Sequence, residues 1–391
     1  MDKMFRGLPP SSWLRLESEA CAPYFRQESD EWAACHSGRI TTSSLPGCLG
    51  LNEKKASGAL KLPKGFASHR HALHAYHLVQ EEVFLVSGSA SKEVLTFNAK
   101  QVEEYNAGLC LNGSEDEGEE DRREERCKQV AKMGVMAVHC AWGISQEPAA
   151  LFSLLRNFVD SEVLEVGLCP LSFRDIPYEW GINKKLLPPM GASPDALLVI
   201  PLSKLDDETT LEGRLASFLP RGWEGGDEWR RKGHLCCVVE VKSVSPFREI
   251  HKVTKSGKKK KLRYRLIDAE PRDRVNVMHV PQLQMHMLCT GAPIALYVSY
   301  SAGNGIALYV MKADKFYQKS MLRWVSLFQK EYVAKKSPPP ENFFWEMEAY
   351  QNFLGHTRKI ARTATLFETL PPTVMDKYAK SAPFLSPQQP A

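Results

Sequence analysis

Asp195 follows a Ser193-Pro194 turn at the head of an apolar run, and Glu240 and Lys242 stand two apart in another. In an extended strand, residues i and i+2 project to one face, so a carboxylate and an ammonium share a face of a segment that Cys236, Cys237, Val238 and Val239 mark for burial. An unpaired buried charge is costly, so the two groups must compensate each other, bind a cation, or both. With Asp195 on an adjacent strand, two carboxylates and the Val241 carbonyl make a hard oxygen site suited to Mg²⁺ or Mn²⁺. Such a metal lowers the pKa of bound water and stabilises charge on a phosphoryl oxygen, while Lys242 orients that water or offsets the developing negative charge.

The elements that must hold these groups are short. Residues 163–168, 196–202 and 235–244 read as strands, with 191–195 a turn. Residues 275–288 read as a helix closed by Gly291, and 294–300 and 306–311 as a β-hairpin across Ala302-Gly303-Asn304-Gly305. Two helical stretches meeting near Gly143 are predicted over 133–158, with Glu147 in the first turn of the second, one residue before Pro148. An amphipathic helix over 315–333 stops at Pro338-Pro339-Pro340, and a further aromatic helix is predicted over 341–354. Near the start, His36-Ser37-Gly38 is a turn, and Ile40-Thr41-Thr42-Ser43 suits a helix N-cap, where backbone N–H groups can bind phosphate.

The chain has 391 residues, 43% apolar and 25% charged, which excludes wholesale disorder, collagen and coiled-coil arrays. No pair of its ten cysteines has zinc-ligand spacing, so reduced intracellular thiols are expected. Residues 1–12 lack a signal-peptide apolar core, and no run is long enough to span a membrane, so a soluble intracellular protein is expected. His69, His71, His74 and His77 read as a solvated helix face, since no carboxylate or cysteine falls at ligand spacing beside them. The acidic run 115–125 reads as a flexible loop or solvated helix face. The net charge is +5, yet residues 248–265 hold nine Lys and Arg against the single Glu249, a net of +8 that leaves the remainder at −3. That block, with Lys258, Lys259, Lys260 and Lys261, is a solvated loop, a surface for a DNA backbone, a nuclear import signal in a host with a nucleus, or several of these at once.

At this point the residues carry a resemblance. Ser193-Pro194-Asp195 followed by Glu240-Val241-Lys242 matches the PD-(D/E)xK nuclease signature, and the chain more narrowly resembles the YqaJ-type viral recombinase family, which includes the phage lambda exonuclease. The motifs fall in the family's order: Trp32 with Gly38-Arg39-Ile40-Thr41-Thr42-Ser43, Trp142-Gly143 with Glu147, Gly191 to Asp195, Glu240-Val241-Lys242, and Gln282-Leu283-Gln284 with Met287. The resemblance covers about 31–330. It implies an α/β fold with a PD-(D/E)xK restriction-endonuclease-like core, a central mixed β-sheet flanked by helices, and insertions at about 54–130, 203–234 and 248–265. Residues 1–30 would then be an N-terminal extension, 31–335 the nuclease domain, 336–380 a C-terminal helical segment and 381–391 a disordered tail.

The implied roles are specific. Asp195, Glu240 and the Val241 carbonyl would hold Mg²⁺, with Glu147 near the metal and its waters. Lys242 would be the catalytic lysine, Gln282 would fix the attacking water or scissile phosphate, and Gln284 and Ser43 would contact DNA, Ser43 near the terminal phosphate. The implied activity is 5′-to-3′ degradation of one strand of linear duplex DNA in recombination or repair. The implied partners are duplex ends, a single-strand annealing protein, and copies of the chain itself in a ring trimer. An endonuclease or structure-specific nuclease of the same fold, and a non-catalytic DNA-binding accessory, are the competing readings. The chain departs from the family pattern at His36, where an arginine grips the 5′ phosphate in the lambda enzyme. Arg39 three positions on is the available substitute. It departs again in Ala196 for Gly, and in the 44 residues between Asp195 and Glu240, which are harmless if they project from a hairpin tip.

Overall fold

Strands buried on both faces are apolar throughout rather than alternating, as 235–239 and 294–298 are. In the computed structural model, which describes residues 5–6, 26–27, 29–85, 135–172, 176–221, 223, 233–253 and 259–372, these runs form the centre of a mixed sheet. The strands are β1 (Phe5–Arg6), β2 (Glu162–Leu164), β3 (Cys169–Pro170), β4 (Gly191–Ala192), β5 (Ala196–Pro201), β6 (His234–Ser243), β7 (Phe247–Val253), β8 (Lys259–Leu266), β9 (Ile294–Ser301), β10 (Gly305–Lys312) and β11 (Thr365–Leu370). Seven of them make the main sheet in the order β1-β2-β5-β6-β9-β10-β11, with β1 on β2 and β6 on β9 parallel and the other neighbours antiparallel. The helices are α1 (Asp30–His36), α2 (Leu45–Cys48), α3 (Lys54–Ala59), α4 (Arg70–Leu85), α5 (Val135–Asn157), α6 (Leu211–Leu215), α7 (Val280–Thr290), α8 (Lys315–Phe328) and α9 (Glu348–Thr363).

Strand alternation divides the core in two. Val238, Tyr297 and Tyr309 face a layer built from α2, α4, α7, α8 and α9, through residues such as Leu45, Tyr76, Leu283, Met321 and Phe353. Val239, Leu296 and Leu308 face the other way, onto α5 through Val138, Trp142 and Leu154, and onto Phe158 just past its end. The result is an α/β fold with helices on both faces of a mixed sheet, as expected. The hairpin at 302–305 is also present, with Gly305 at φ +84°, and Gly291 closes α7 in the left-handed conformation that favours glycine.

Several local expectations need correction. Residues 135–157 form one helix that continues through Gly143 and Pro148, and Glu147 lies in its middle rather than in a first turn. Packing outweighs propensity here: Trp142 donates from Nε1 to the Val244 carbonyl at 3.1 Å, while Ala150 and Leu154 are fully buried. Pro148 itself is exposed, so its ring displaces nothing in the core. The helix predicted over 341–354 begins instead at Glu348. Residues 341–346 turn because Asn342, at φ +58°, accepts from the Lys55 amide through Oδ1 and donates its own amide to Glu53 Oε2, both at 2.8 Å. The strand expected over 163–168 ends at Leu164, and Cys169–Pro170 pairs separately with Gly191–Ala192. Strand β11 was not foreseen; it extends the sheet beyond β10.

The basic block is an antiparallel pair, β7 with β8, rather than a loop. Lys258 and the acidic run 115–125 lie outside the described residues, as does the tail 381–391. The 203–234 excursion leaves and re-enters the sheet at paired positions, Pro201 opposite His234. His71, His74 and His77 line the exposed face of α4, and His69 pairs through Nδ1 with Glu53 at 2.8 Å.

Candidate active site

The site forms where β5 has not yet begun and β6 runs on. Pairing between them stops at Ala196 with Val239, so Glu240 to Ser243 is bonded only to β9 on its other edge. The Val241 amide, deprived of a strand partner, donates to Asp195 Oδ2 at 2.6 Å. The N–H and C=O of one strand residue leave the same edge, so the Val241 carbonyl opens towards Asp195 as well.

Glu240 and Lys242 share the face that looks onto α7, as their spacing predicts. Glu240 is 1% exposed. Its Oε1 is ion-paired with Lys242 Nζ and accepts from Gln282 Nε2 at 2.6 Å. Its Oε2 lies 2.9 Å from His286 Nε2, a contact too poorly directed to count as a hydrogen bond. Burial pushes the Glu240 carboxyl up, but Lys242 and His286 outweigh it and bring it down to about 2. Lys242 is held protonated by Glu240 and Asp195 despite desolvation. Asp195 is pushed well above the usual carboxylate range, first by desolvation and then by the facing carboxylates of Glu240 and Glu147.

Helix α7 supplies Gln282 and His286 from positions one turn apart, which lie on one face. His286 was missed in the sequence; the signal was there in the Gln282-x₃-His286 spacing. Gln284 points elsewhere. It is fully buried, donates to the Lys312 carbonyl and accepts from the Asp314 amide, both at 2.9 Å, and so fixes α7 to the start of α8.

The N-terminal motif is tied to the turn that carries Asp195. Trp32 Nε1 and His36 Nε2 both lie 3.1 Å from Ser193 Oγ, with the two rings 3.8 Å apart. Ile40 bonds to the Pro189 carbonyl and receives the Gly191 amide. Burial, and then Arg39, push the His36 pKa down to about 4. Arg39 donates from Nε to the Cys35 carbonyl at 2.8 Å. Ser43 is exposed at the lip of this loop, with its hydroxyl 3.0 Å from Thr41 Oγ1. Lys259, Lys260 and Lys261 belong to β8.

The donor set has the chemistry of a divalent-cation site. Three carboxylates face one another against one lysine, and Glu240 Oε2 is buried with no directed hydrogen bond. Among the described residues no three ligand-type side chains close on one point, so the donors are within reach of each other rather than a finished cage.

Fold and site together define an α/β protein with an acid–lysine cluster at the divergence of two sheet strands. No family model and no curated protein matches this chain. Among solved structures, the crystal structure of an alkaline exonuclease (LHK-Exo) from Laribacter hongkongensis aligns with 78% of this chain and 94% of that chain, at 15% identity and a TM-score of 0.34.

Proposed function

We propose that this protein is a metal-dependent DNA nuclease that hydrolyses phosphodiester bonds, acting as a 5′-to-3′ exonuclease on linear duplex DNA in recombination or repair. One observation carries the reading: Asp195, Glu240, Lys242 and Gln282, separated by up to 87 residues, meet at one strand end, with Asp195 on the Val241 amide and both Lys242 and Gln282 on Glu240. Asp195, Glu240, Glu147 and the Val241 carbonyl would hold Mg²⁺, or Mn²⁺ in its place. When bound, that ion supplies an acidified water and charge neutralisation at the phosphoryl group.

The chain's own residues do the rest. Lys242, kept protonated, offsets negative charge as it develops on the phosphate. Gln282 can donate to Glu240 or turn to the attacking water from the same helix position. Ser43, His36 and Arg39 lie on the segment bonded to the Asp195 turn, where a strand end would be positioned. The direction of digestion, the ring trimer and the annealing partner come from the resemblance to the YqaJ-type family.

Incubation with Mg²⁺ and end-labelled linear duplex, beside a covalently closed circle, tests this. Loss of the linear DNA alone is the expected result, with label released faster from the 5′ end. Nicking of the circle would make it an endonuclease, and no cleavage of either would leave the accessory reading.

A further inference from the structure

The face of the sheet that bears Glu240 continues away from the site as a row. Glu240 is opposite Tyr297 in β9, Tyr297 is opposite Tyr309 in β10, and Tyr309 is opposite Leu366 in β11. Two residues further along, on the same face, Lys242 is opposite Ser299. Ser299 Oγ accepts the Arg272 amide at 2.8 Å, and the Arg272 carbonyl accepts from Tyr309 Oη, also at 2.8 Å. The segment carrying Arg272 and Arg274 is thereby fastened across the row, between the candidate active site and β11.

Beyond it lies a groove of about 840 Å³, walled by 60–63, by 272–277 and by the C-terminal turns of α9. Its charge is one-sided. Lys61, Arg272, Arg274, Arg358 and Arg362 line it, against Asp273, whose carboxylate is already bonded to Arg274 at 3.1 and 3.0 Å. Arg358 and Arg362 are one turn apart and so on one face of α9. No carboxylate among the described residues is ion-paired with Lys61, Arg272, Arg358 or Arg362, while Arg214 and Lys335, elsewhere on the surface, have such partners. Arg358 donates to the Ala59 carbonyl at 3.2 Å, and a concavity lined by one sign of charge focuses its field and attracts anions. Lys61 is brought to this wall by the end of α3, which it closes at φ +57° with its amide on the Gly58 carbonyl and the Leu62 amide on the Ser57 carbonyl. Leu366, half exposed, adds an apolar wall of the kind against which a base can lie.

We propose that this groove is a second binding site, for the phosphodiester backbone of a single nucleic-acid strand that continues past the candidate active site. The inference rests on the nuclease reading for the strand's origin. From Glu240 to Tyr309 is two strand spacings, about 10 Å, measured through the buried Tyr297. A strand leaving Lys242 therefore passes over the outside of the protein to meet Arg272 and Arg362, both exposed. The shared chemistry is the phosphate group, so a free mononucleotide is the other source of it.

Binding of labelled single strands of increasing length by the full-length Lys242→Ala protein, in the absence of divalent metal, separates the cases. The comparison is with the same protein also carrying Arg272→Gln and Arg362→Gln, both exposed positions, with thermal melting as the check that it folds. The expected result is that affinity rises with strand length in the parent, and that the slope of log K against log salt falls by about 0.7 for each phosphate contact removed. An unchanged slope and length dependence in a parent that does bind overturns the groove and leaves the nuclease reading standing. A change confined to a 5′-mononucleotide competitor, with strand binding intact, makes this a product site and also overturns the proposal. A parent that binds no strand and a wild type that cleaves none would remove the nuclease reading itself.

Discussion

His286 Nε2 lies 2.9 Å from Glu240 Oε2, and both side chains are essentially excluded from solvent. Helix α7 thus closes over the strand acid from two positions, Gln282 on one oxygen and His286 on the other. Removing His286 leaves a buried carboxylate with one partner fewer and a cavity beside it. His286→Ala is expected to cost about 3 kcal/mol, the order of a large-to-small substitution in a core. At about 2.1 cal/mol/K of unfolding entropy per residue, a 391-residue chain shifts by about 1.2 °C per kcal/mol, so Tm should fall by about 4 °C. His286→Gln restores a donor, so both Tm and cleavage rate should recover in part. Equal loss in the two variants would mean that the ring's volume, and not its polar contact with Glu240, is what matters.

Lys242→Ala removes the cation that faces Glu240 and Asp195. A group stabilising developing charge in a desolvated site is worth a factor of about 10²–10³ in rate. Cleavage of linear duplex should fall by at least that much while DNA affinity, measured by anisotropy without metal, stays within a few fold. Undiminished hydrolysis would reject the assigned site.

His36 has its pKa lowered from 6.5 to about 4 by burial and by Arg39. Between those values the unfolded chain binds a proton that the folded chain does not, so stability is complete above pH 6.5 and declines as pH falls towards 4. The slope attributable to one such group is up to about 1.4 kcal/mol per pH unit. Urea denaturation at pH 7, 6 and 5 should show a shallower acid loss for His36→Gln than for the parent. Identical slopes would show that His36 titrates alike in both states.

Gly47 lies at the crossing of α2 and α4, where a Cβ would meet the backbone carbonyl of His71 well inside van der Waals contact. Gly47→Ala must push the two helices apart, at a cost of about 1–3 kcal/mol. The loop bearing Ser43 ends at α2, so lowered stability is expected together with weaker binding of strand ends. A variant with parental Tm would mean that α4 yields freely.

Much of the site was readable because its pieces are local. Glu240 and Lys242 share a face through strand periodicity alone, and Ser193-Pro194 marks the start of the strand after Asp195 from its own sequence. The turn glycines Gly291 and Gly305 were legible for the same reason, since few residues besides glycine adopt a positive φ readily. Boundaries resting on propensity fared worse. Gly143 and Pro148 suggested a break that burial of Trp142 and Leu154 against the sheet prevents. The aromatic helix at 341–354 was displaced because Asn342 is drawn to α3, almost 290 residues away in sequence.

What this sequence determined by itself is the inventory: which acids and which lysine, their shared strand face, and the order of the central strands around the helix that carries Gln282. What tertiary structure decided is which side chains meet. Gln282 and Gln284 differ by two positions on one helix, and the turn of that helix sends the first to Glu240 and the second to Lys312 and Asp314. His286 joined the site, and Arg272, Arg358 and Arg362 came to line one groove, through contacts between distant segments. Short-range periodicity sets the direction of each side chain, but only the packing of whole elements sets what lies opposite it.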